Sequence, residues 1–266
     1  MLSPRYQIPR VIPRGFTADL DALSKELHSI NPKIEILAEA CDASDPDAVK
    51  SLAETVARKF NGQLDVVVAN AGVISKYITH DSDTKTGKQT NRRLPVGIIE
   101  DDDFKRVIDI NLLGSYYVAK YFTPALISKA NPSTIRAYIV ITSMAAHAAQ
   151  SSFVPVAYNM SKLANVRMAE HMHNDHSQDG LLAYAVHPGA VLTPQTELHS
   201  TQEGDSWDAL LTDDIGLCGG FLTWLTRERR EWLSGRYLAV AWDVDELEKM
   251  KSEILEHDKL KFTMVV

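Results

Sequence analysis

Three short runs of aliphatic and β-branched residues constrain most strongly how this chain can fold. They occupy residues 64–69 (LDVVVA), 136–143 (RAYIVITS) and 181–186 (LLAYAV). A strand that is apolar along its whole length buries both of its faces, which is typical of a parallel sheet covered by helices on either side. Apolar residues recur at helical spacing in residues 47–60, 101–130 and 157–173. A further strand is predicted at residues 33–40, and further helices at residues 213–225 and 245–257. The pattern predicts an α/β fold.

The composition argues against several classes of protein. With 266 residues, of which 45% are hydrophobic, the chain can build one compact domain, which we take to span residues 1–266. A net charge of −7 argues against nucleic acid or an anionic membrane as a partner. The sequence contains neither a membrane-spanning apolar run of about 20 residues nor a signal peptide. Cys41 and Cys218 lack metal-type spacing, and we interpret them as reduced thiols of a cytoplasmic protein.

A serine and a Tyr/Lys pair follow the second apolar run. Ser143 ends the predicted strand 136–143, and Tyr158 and Lys162 lie in the predicted helix 157–173. Because they are one turn apart, Tyr158 and Lys162 share one face of that helix. Such a trio can converge on one small polar group of a substrate. The chemistry it suits is proton transfer to or from a carbonyl or alcohol oxygen.

The acidity of tyrosine explains why a lysine would accompany it. An unperturbed tyrosine has a pKa of about 10, too high for efficient proton transfer near neutrality. The ammonium of Lys162 is expected to lower the pKa of Tyr158, and Ser143 is expected to hold the substrate oxygen by a hydrogen bond. A Tyr and a Lys at this spacing can also be mere surface neighbours, so the surrounding sequence decides between the two interpretations.

Further landmarks appear in order along the chain. They are Asn70-Ala71-Gly72 after the strand 64–69, Asn111 inside the helix 101–130, and His187-Pro188-Gly189 after the strand 181–186. Together with Ser143, Tyr158 and Lys162, these landmarks resemble the short-chain dehydrogenase/reductase family. The resemblance extends from about residue 19 nearly to the C-terminus, and the carboxyl end, with Trp242-Asp243, looks most like fungal members.

The resemblance implies a fold, a cofactor and roles for individual residues. The fold would be a doubly wound, Rossmann-like parallel sheet with helices on both faces, and the cofactor NADP(H), with NAD(H) as the alternative. The implied catalytic residues are Ser143, Tyr158, Lys162 and Asn111, the last holding a water in a proton relay. The implied cofactor-binding residues are Asp42, Asn70, Ala71, Gly72, Tyr158, Lys162, Val191 and Thr193. The reaction uses no metal, and the subunits would form a homodimer or homotetramer through helices 101–130 and 157–173.

Plainer interpretations of several of these residues stay open. Asp42 is expected to bind the adenine ring, but it can instead shape a turn before the helix 47–60. The segment 70–72 can be a simple strand-to-loop turn. A cluster of histidines at residues 171, 173 and 176 looks superficially like a metal site, and we interpret it as an exposed helix end.

The N-terminus departs from the family pattern. Family members begin with a strand, a Thr-Gly-x-x-x-Gly-x-Gly turn and a helix, whose backbone amides hold the dinucleotide pyrophosphate. In this chain no glycine separates Gly15 from Gly62, so the turn is absent, and the first strand and helix of the family are apparently missing with it. The pyrophosphate would lack its backbone donors, and we therefore expect weaker NADP(H) binding than in a complete family member.

Three interpretations of the function follow. The first is an NADP(H)-linked oxidoreductase that interconverts a secondary alcohol and a ketone on a small molecule, with Arg14 as a candidate contact for the 2′-phosphate. The second is a cofactor-free, non-redox descendant that binds a small molecule or catalyses a proton transfer. The third is an inactive truncated product whose stated N-terminus is wrong. Segments 150–154 and 195–207, which would shape the substrate pocket, do not identify a substrate.

Overall fold

The computed structural model describes residues 11–12, 17–74, 98–99, 103–128, 134–151, 154–193, 195–196 and 210–264. The sequence predictions for Arg14 and Gly15 lie outside the described residues. Most of the two polar segments, 76–100 and 195–207, also lies outside them.

Strands and helices alternate along the described part of the chain. The strands are β1 (Val11–Ile12), β2 (Glu39–Ala40), β3 (Val66–Ala69), β4 (Ala137–Ile141), β5 (Leu182–His187) and β6 (Arg236–Ala239). The helices are α1 (Thr17–Ile30), α2 (Pro46–Lys59), α3 (Phe104–Ile108), α4 (Gly114–Ile127), α5 (Val156–His176), α6 (Leu217–Arg227), α7 (Val244–Lys249) and α8 (Lys251–Glu256). A π-helical segment, Asp109–Leu113, joins α3 to α4, and 3₁₀ turns lie at Met144–His147, Ser177–Asp179 and Glu231–Leu233.

Every described strand pairing is parallel. Strands β3, β4, β5 and β6 form one sheet in that order, and β1 pairs with β2 in a separate two-stranded sheet. On the side of β3 away from β4, no described strand pairs with it. The predicted parallel sheet is confirmed, and its described strands divide into two groups.

Each face of the larger sheet buries its own hydrophobic core. Along β4, Tyr138 and Val140 point into a core shared with α2, α4 and α5. The alternate residues Ala137, Ile139 and Ile141 point into a second core shared with α6, α7 and α8. Because successive side chains of a strand point to opposite faces, an entirely apolar strand requires helices on both sides. The doubly wound architecture is therefore confirmed.

Several element boundaries differ from the sequence predictions. The strand predicted at 33–40 pairs only at Glu39–Ala40, because its described partner β1 is itself two residues long. The helix predicted at 101–130 changes to π-helical hydrogen bonding at Asp109–Leu113 before α4 continues. The helix predicted at 213–225 begins only at Leu217, because Asp214 accepts a hydrogen bond from Gly216 N and shapes a turn ahead of it. The helix predicted at 245–257 divides in two at Met250.

Within the described residues, no helix combines the length and the apolar character needed to cross a bilayer.

Candidate active site

Three of the predicted catalytic residues meet beyond the carboxyl end of β4. Ser143 lies two residues after β4, and Tyr158 and Lys162 lie in the first turns of α5. Helix α5 begins directly after Pro155, whose ring suits the position ahead of a helix because it donates no backbone hydrogen bond. Thr142 Oγ1 donates to the backbone oxygen of Lys162 over 2.7 Å and so ties the start of α5 to the end of β4.

Ser143 has an extended backbone and caps the 3₁₀ turn Met144–His147. Its Oγ accepts a hydrogen bond from Ala145 N over 3.1 Å. The same hydroxyl hydrogen-bonds the phenol of Tyr158. The turn therefore fixes Ser143 in the orientation that brings its hydroxyl to Tyr158, while its contact with a substrate oxygen stays a prediction.

Lys162 is buried beneath Tyr158. Its side chain is 4% exposed, its Nζ lies 5.5 Å from the centroid of the Tyr158 ring, and it donates a hydrogen bond of 2.9 Å to the carbonyl oxygen of Ile141. Burial lowers the pKa of Lys162 to about 8, because removal from water disfavours the ammonium. An amine with such a pKa can exchange a proton near neutral pH.

The pKa of Tyr158 departs from its usual value in the direction opposite to the sequence prediction. Burial raises the pKa of this phenol, and the hydrogen bond from Ser143 lowers it by less. The physical reason is that the same burial removes water from the phenol and from Lys162, so both neutral forms are favoured. A raised pKa favours the phenol over the phenolate near neutral pH, which suits Tyr158 to donate a proton.

Asn111 lies in the π-helical segment and is completely buried. Its Oδ1 accepts from Val73 N over 2.8 Å, and its Nδ2 donates to Val73 O over 2.9 Å and to Ser161 Oγ over 3.2 Å. Its backbone oxygen accepts hydrogen bonds from Ser115 Oγ (2.8 Å) and Asn165 Nδ2 (3.1 Å). Asn111 therefore joins the loop after β3 to α4 and α5, while its water-holding role stays a prediction.

The segment Asn70-Ala71-Gly72 passes directly beside Lys162. Asn70 is exposed at the carboxyl end of β3. A Cβ added to Gly72 would lie 3.4 Å from Lys162 Nζ and 3.4 Å from Asn111 Oδ1. A side chain at residue 72 would occupy the space beside the lysine, which the glycine leaves open.

An open pocket of about 500 Å³, part of it continuous with solvent, extends along β3 from this segment. Its lining combines the β3 end with α4, and it includes Ala43, Val68, Asn70, Ala71, Ser115 and Phe122. The surface is mostly apolar, with a few polar groups at one end.

Asp42 adopts the plainer of its two predicted roles. Its Oδ1 accepts hydrogen bonds from Ser44 N (3.0 Å) and Ser44 Oγ (2.7 Å). Asp45 then caps α2 by accepting from Asp47 N and Ala48 N. Asp42 thus organises the turn between β2 and α2, and its contact with an adenine ring stays a prediction.

The loop after β5 carries the two remaining predicted cofactor ligands. Val191 forms an isolated antiparallel bridge with Thr212. Thr193 N donates to Thr196 Oγ1 over 2.7 Å, and the two threonine hydroxyls lie 3.1 Å apart. Sequence reasoning missed Asp213, which binds this loop, because the pair Asp213-Asp214 was interpreted only as a helix start.

The histidines of α5 differ from one another in their burial and in their contacts. His173 is only partly exposed, and its Nδ1 lies 2.9 Å from Ser234 Oγ. The Ser234 hydroxyl also accepts from Ala183 N, so His173 belongs to a packed contact between α5 and the sheet. The prediction of an exposed helix end was wrong for His173. His176 pairs with Asp179, and the described residues contain no cluster of three or more His, Cys, Asp or Glu that could hold a metal.

Comparison with known proteins agrees with this fold. A family profile described as short chain dehydrogenase matches residues 14–204. Short chain dehydrogenase pgmD of Aspergillus terreus is 34% identical over 257 residues, covering 94% of this chain and 76% of that protein. Short chain dehydrogenase mpl6 of Monascus purpureus is 34% identical over 250 residues, covering 94% of this chain and 75% of that protein.

A solved structure shares the fold at lower sequence identity. The NADPH-bound short chain oxidoreductase of Pseudomonas aeruginosa PAO1 superposes with a TM-score of 0.66 and 17% identity, covering 88% of this chain and 84% of that one. The parallel sheet with helices on both faces defines a Rossmann-like fold. The chain belongs to the short-chain dehydrogenase family.

Proposed function

We propose that this chain is an NADP(H)-linked oxidoreductase that interconverts a secondary alcohol and a ketone on a small molecule. The proposal depends above all on one observation, the hydrogen bond between the Ser143 hydroxyl and the Tyr158 phenol, with Lys162 buried beneath the ring. Two hydroxyl groups that already meet at one point can both bind a single substrate oxygen. The fungal relatives support a role in fungal metabolism.

The side chains have distinct tasks in the direction of ketone reduction. Ser143 and Tyr158 bind the carbonyl oxygen, and Tyr158 donates its proton to that oxygen as negative charge develops there. The phenol recovers its proton from Lys162, whose pKa of about 8 allows it to release one near neutrality. When bound, the nicotinamide supplies the hydride for the substrate carbon.

The residues around Lys162 fit the nicotinamide and ribose part of such a cofactor. Gly72 leaves space beside the ammonium, which donates one of its three hydrogens to the Ile141 carbonyl. Asn70, Ala71 and Gly72 would line the ribose and adenine path, and Val191 and Thr193 the carboxamide end. We favour NADP(H) over NAD(H), with Arg14 as the proposed contact for the 2′-phosphate.

The function is tested by replacing Tyr158 with phenylalanine. We expect Tyr158→Phe to keep the ring and the fold but to lower ketone reduction with NADPH by about 10²–10⁴-fold, the usual worth of general acid catalysis. Tyr116→Phe makes the same chemical change at an exposed position of α4 and serves as the matched control. Turnover is followed by NADPH and NADH absorbance over a panel of ketones, with NADPH affinity measured by fluorescence titration.

Two results would remove this proposal. If Tyr158→Phe keeps turnover within about threefold of the wild type, Tyr158 is not the proton donor. If neither NADPH nor NADH binds, the second candidate function gains support, a cofactor-free proton-transfer catalyst or small-molecule binder. The absence of glycine between Gly15 and Gly62 favours that candidate, because the pyrophosphate would lack its usual backbone donors. Turnover of a substrate without added dinucleotide would identify it.

We also propose that the protein forms a homodimer or homotetramer in the cytoplasm and acts on a small molecule rather than on nucleic acid or a membrane. The Asn165–Asn111 hydrogen bond joins α5 to the π-helical segment that precedes α4, and this part of the protein exposes large apolar side chains. These are Leu113 at the end of the π-helical segment, Tyr116, Met160 and Leu163, between 36% and 50% exposed. Cys41 and Cys218 carry free thiols, which suits a reducing compartment.

A further inference from the structure

Asp213 pairs with the loop after β5 through both its side chain and its backbone. Its Oδ2 accepts a hydrogen bond from Ala190 N over 2.6 Å, and its own N donates to Ala190 O over 2.9 Å. The neighbouring residues Val191 and Thr212 form an antiparallel bridge. Both backbone polar groups of Ala190 are therefore held by one residue that lies 23 positions further along the chain.

Gly189 permits this close approach. Its φ of +93° lies in a region that side-chain-bearing residues rarely adopt. A Cβ on Gly189 would lie 3.0 Å from Asp213 Oδ2 and 3.3 Å from Val240 Cγ2. Because Gly189 has no side chain, the Asp213 carboxylate can reach the Ala190 amide.

This contact lies in the part of the loop that the proposed function uses. The loop leaves β5 beside β4, in register with Ile141 opposite Val186, so it starts next to the strand that ends at Ser143. The hydrogen bonds of Thr193 with Thr196 are local, whereas Asp213 ties the loop to a distant segment of the chain. A contact that holds Ala190 therefore determines where Val191 and Thr193 lie.

We propose that Asp213 is a positioning residue of the dinucleotide site. It holds the loop of residues 188–193 in the course that presents Val191 and Thr193 to the nicotinamide end of the cofactor. This inference rests on the proposed function. It predicts that cofactor affinity depends on a carboxylate that itself does not touch the cofactor.

The first measurement needs no cofactor. Amide hydrogen exchange of the loop is compared in the full-length wild type, Asp213→Ala, Asp213→Asn and the control Asp214→Ala. Asp214 is the adjacent exposed carboxylate, which accepts from Gly216 N instead. We expect exchange at Ala190 to accelerate at least tenfold in Asp213→Ala, to be partly restored in Asp213→Asn, which keeps an acceptor oxygen, and to be unchanged in Asp214→Ala. Equal exchange in Asp213→Ala and the wild type would overturn the proposal.

The second measurement is NADPH affinity, by fluorescence titration. We expect Asp213→Ala to raise the dissociation constant about 10- to 100-fold, the equivalent of one hydrogen bond to a charged group. The kcat at saturating NADPH and the thermal unfolding midpoint should stay close to the wild type, and Gly189→Ala should weaken binding similarly.

The two hypotheses fail in different ways. The positioning role alone would be overturned by one pattern of results. In that pattern the wild type binds NADPH, and the dissociation constant of Asp213→Ala stays within twofold of the wild-type value despite faster amide exchange in the loop. A wild type that binds neither NADPH nor NADH would overturn the proposed function, and the positioning role would fall with it.

Discussion

At the scale of single residues, the burial of Lys162 lowers the pKa of its amine and also lowers the free energy of unfolding of the protein. The pKa of this lysine is lowered from 10.5 to about 8, so the folded state binds the proton less tightly than the unfolded state does. The destabilisation is fully present below pH 8 and is relieved as the pH rises from about 8 to 10.5, because the unfolded chain still holds its proton over that interval.

Replacing Lys162 with methionine tests this pH-dependent destabilisation. We expect the free energy of unfolding of the wild type, minus that of Lys162→Met, to increase by about 2 kcal/mol between pH 8 and 10. Urea denaturation at several pH values measures this difference. Burial raises the pKa of Tyr138 and Tyr184 in both proteins, so their ionisation cancels in the difference.

The control for this prediction is Lys120→Met, which removes a lysine from the exposed side of α4. Its difference from the wild type should stay constant over the same pH interval. A constant difference for Lys162→Met as well would mean that Lys162 is not buried as the structure shows. We also expect Lys162→Met to lose turnover, because the phenol would lose its proton source.

At the scale of secondary-structure elements, the start of α4 explains why a glycine lies inside a helical pattern. A Cβ on Gly114 would lie 3.1 Å from the backbone oxygen of Ala43 and 3.2 Å from its Cβ. The helix therefore packs directly against the loop after β2, and the pocket along β3 is formed between them. Gly220 in α6, in contrast, is exposed and has open space where its Cβ would be.

Alanine at these two helical glycines should have opposite effects. Gly220→Ala should stabilise the protein by about 0.5–1 kcal/mol, because alanine favours the helix and nothing obstructs it. Gly114→Ala should destabilise it by about 1–3 kcal/mol, because the methyl group meets the backbone at Ala43. Chemical denaturation measures both, and each variant is the control for the other. Stabilisation by Gly114→Ala would show that α4 does not approach this loop so closely.

At the scale of the whole molecule, the helices on one face of the sheet have more apolar surface than their own core uses. Most of the inner surface of α4 and α5 packs against the sheet, through residues such as Phe122 and Val166. Their outward residues Tyr116 and Leu163 are nevertheless 48% and 40% exposed. Two copies related by a twofold axis would cover such a surface.

A charge placed on this surface should separate the subunits. We expect Leu163→Glu to shift the protein to smaller species in sedimentation velocity, while Leu255→Glu leaves its assembly unchanged. Leu255 is 51% exposed and lies on α8, which packs on the opposite face of the sheet. A wild type that sediments as a monomer of 29.6 kDa would contradict the proposed homodimer or homotetramer.

The sequence by itself determined the parallel sheet, the helices on both faces and the neighbourhood of Ser143, Tyr158 and Lys162. These features depend on local spacing: an apolar run predicts a doubly covered strand, and a four-residue interval places two side chains on one helix face. The same local reasoning predicted a β2 longer than the observed strand, because the length of a strand depends on the strand with which it pairs.

The tertiary structure alone decided the features that depend on distant residues or on burial. Asp213 holds Ala190 and His173 binds Ser234 across long separations in sequence, and no local pattern marks either pair. The direction of the Tyr158 pKa was predicted wrongly because spacing reveals that a lysine is near but not how much water both groups lose. Desolvation is a property of the packed molecule, and for Tyr158 it outweighs the opposite effect of the Ser143 hydrogen bond on the pKa.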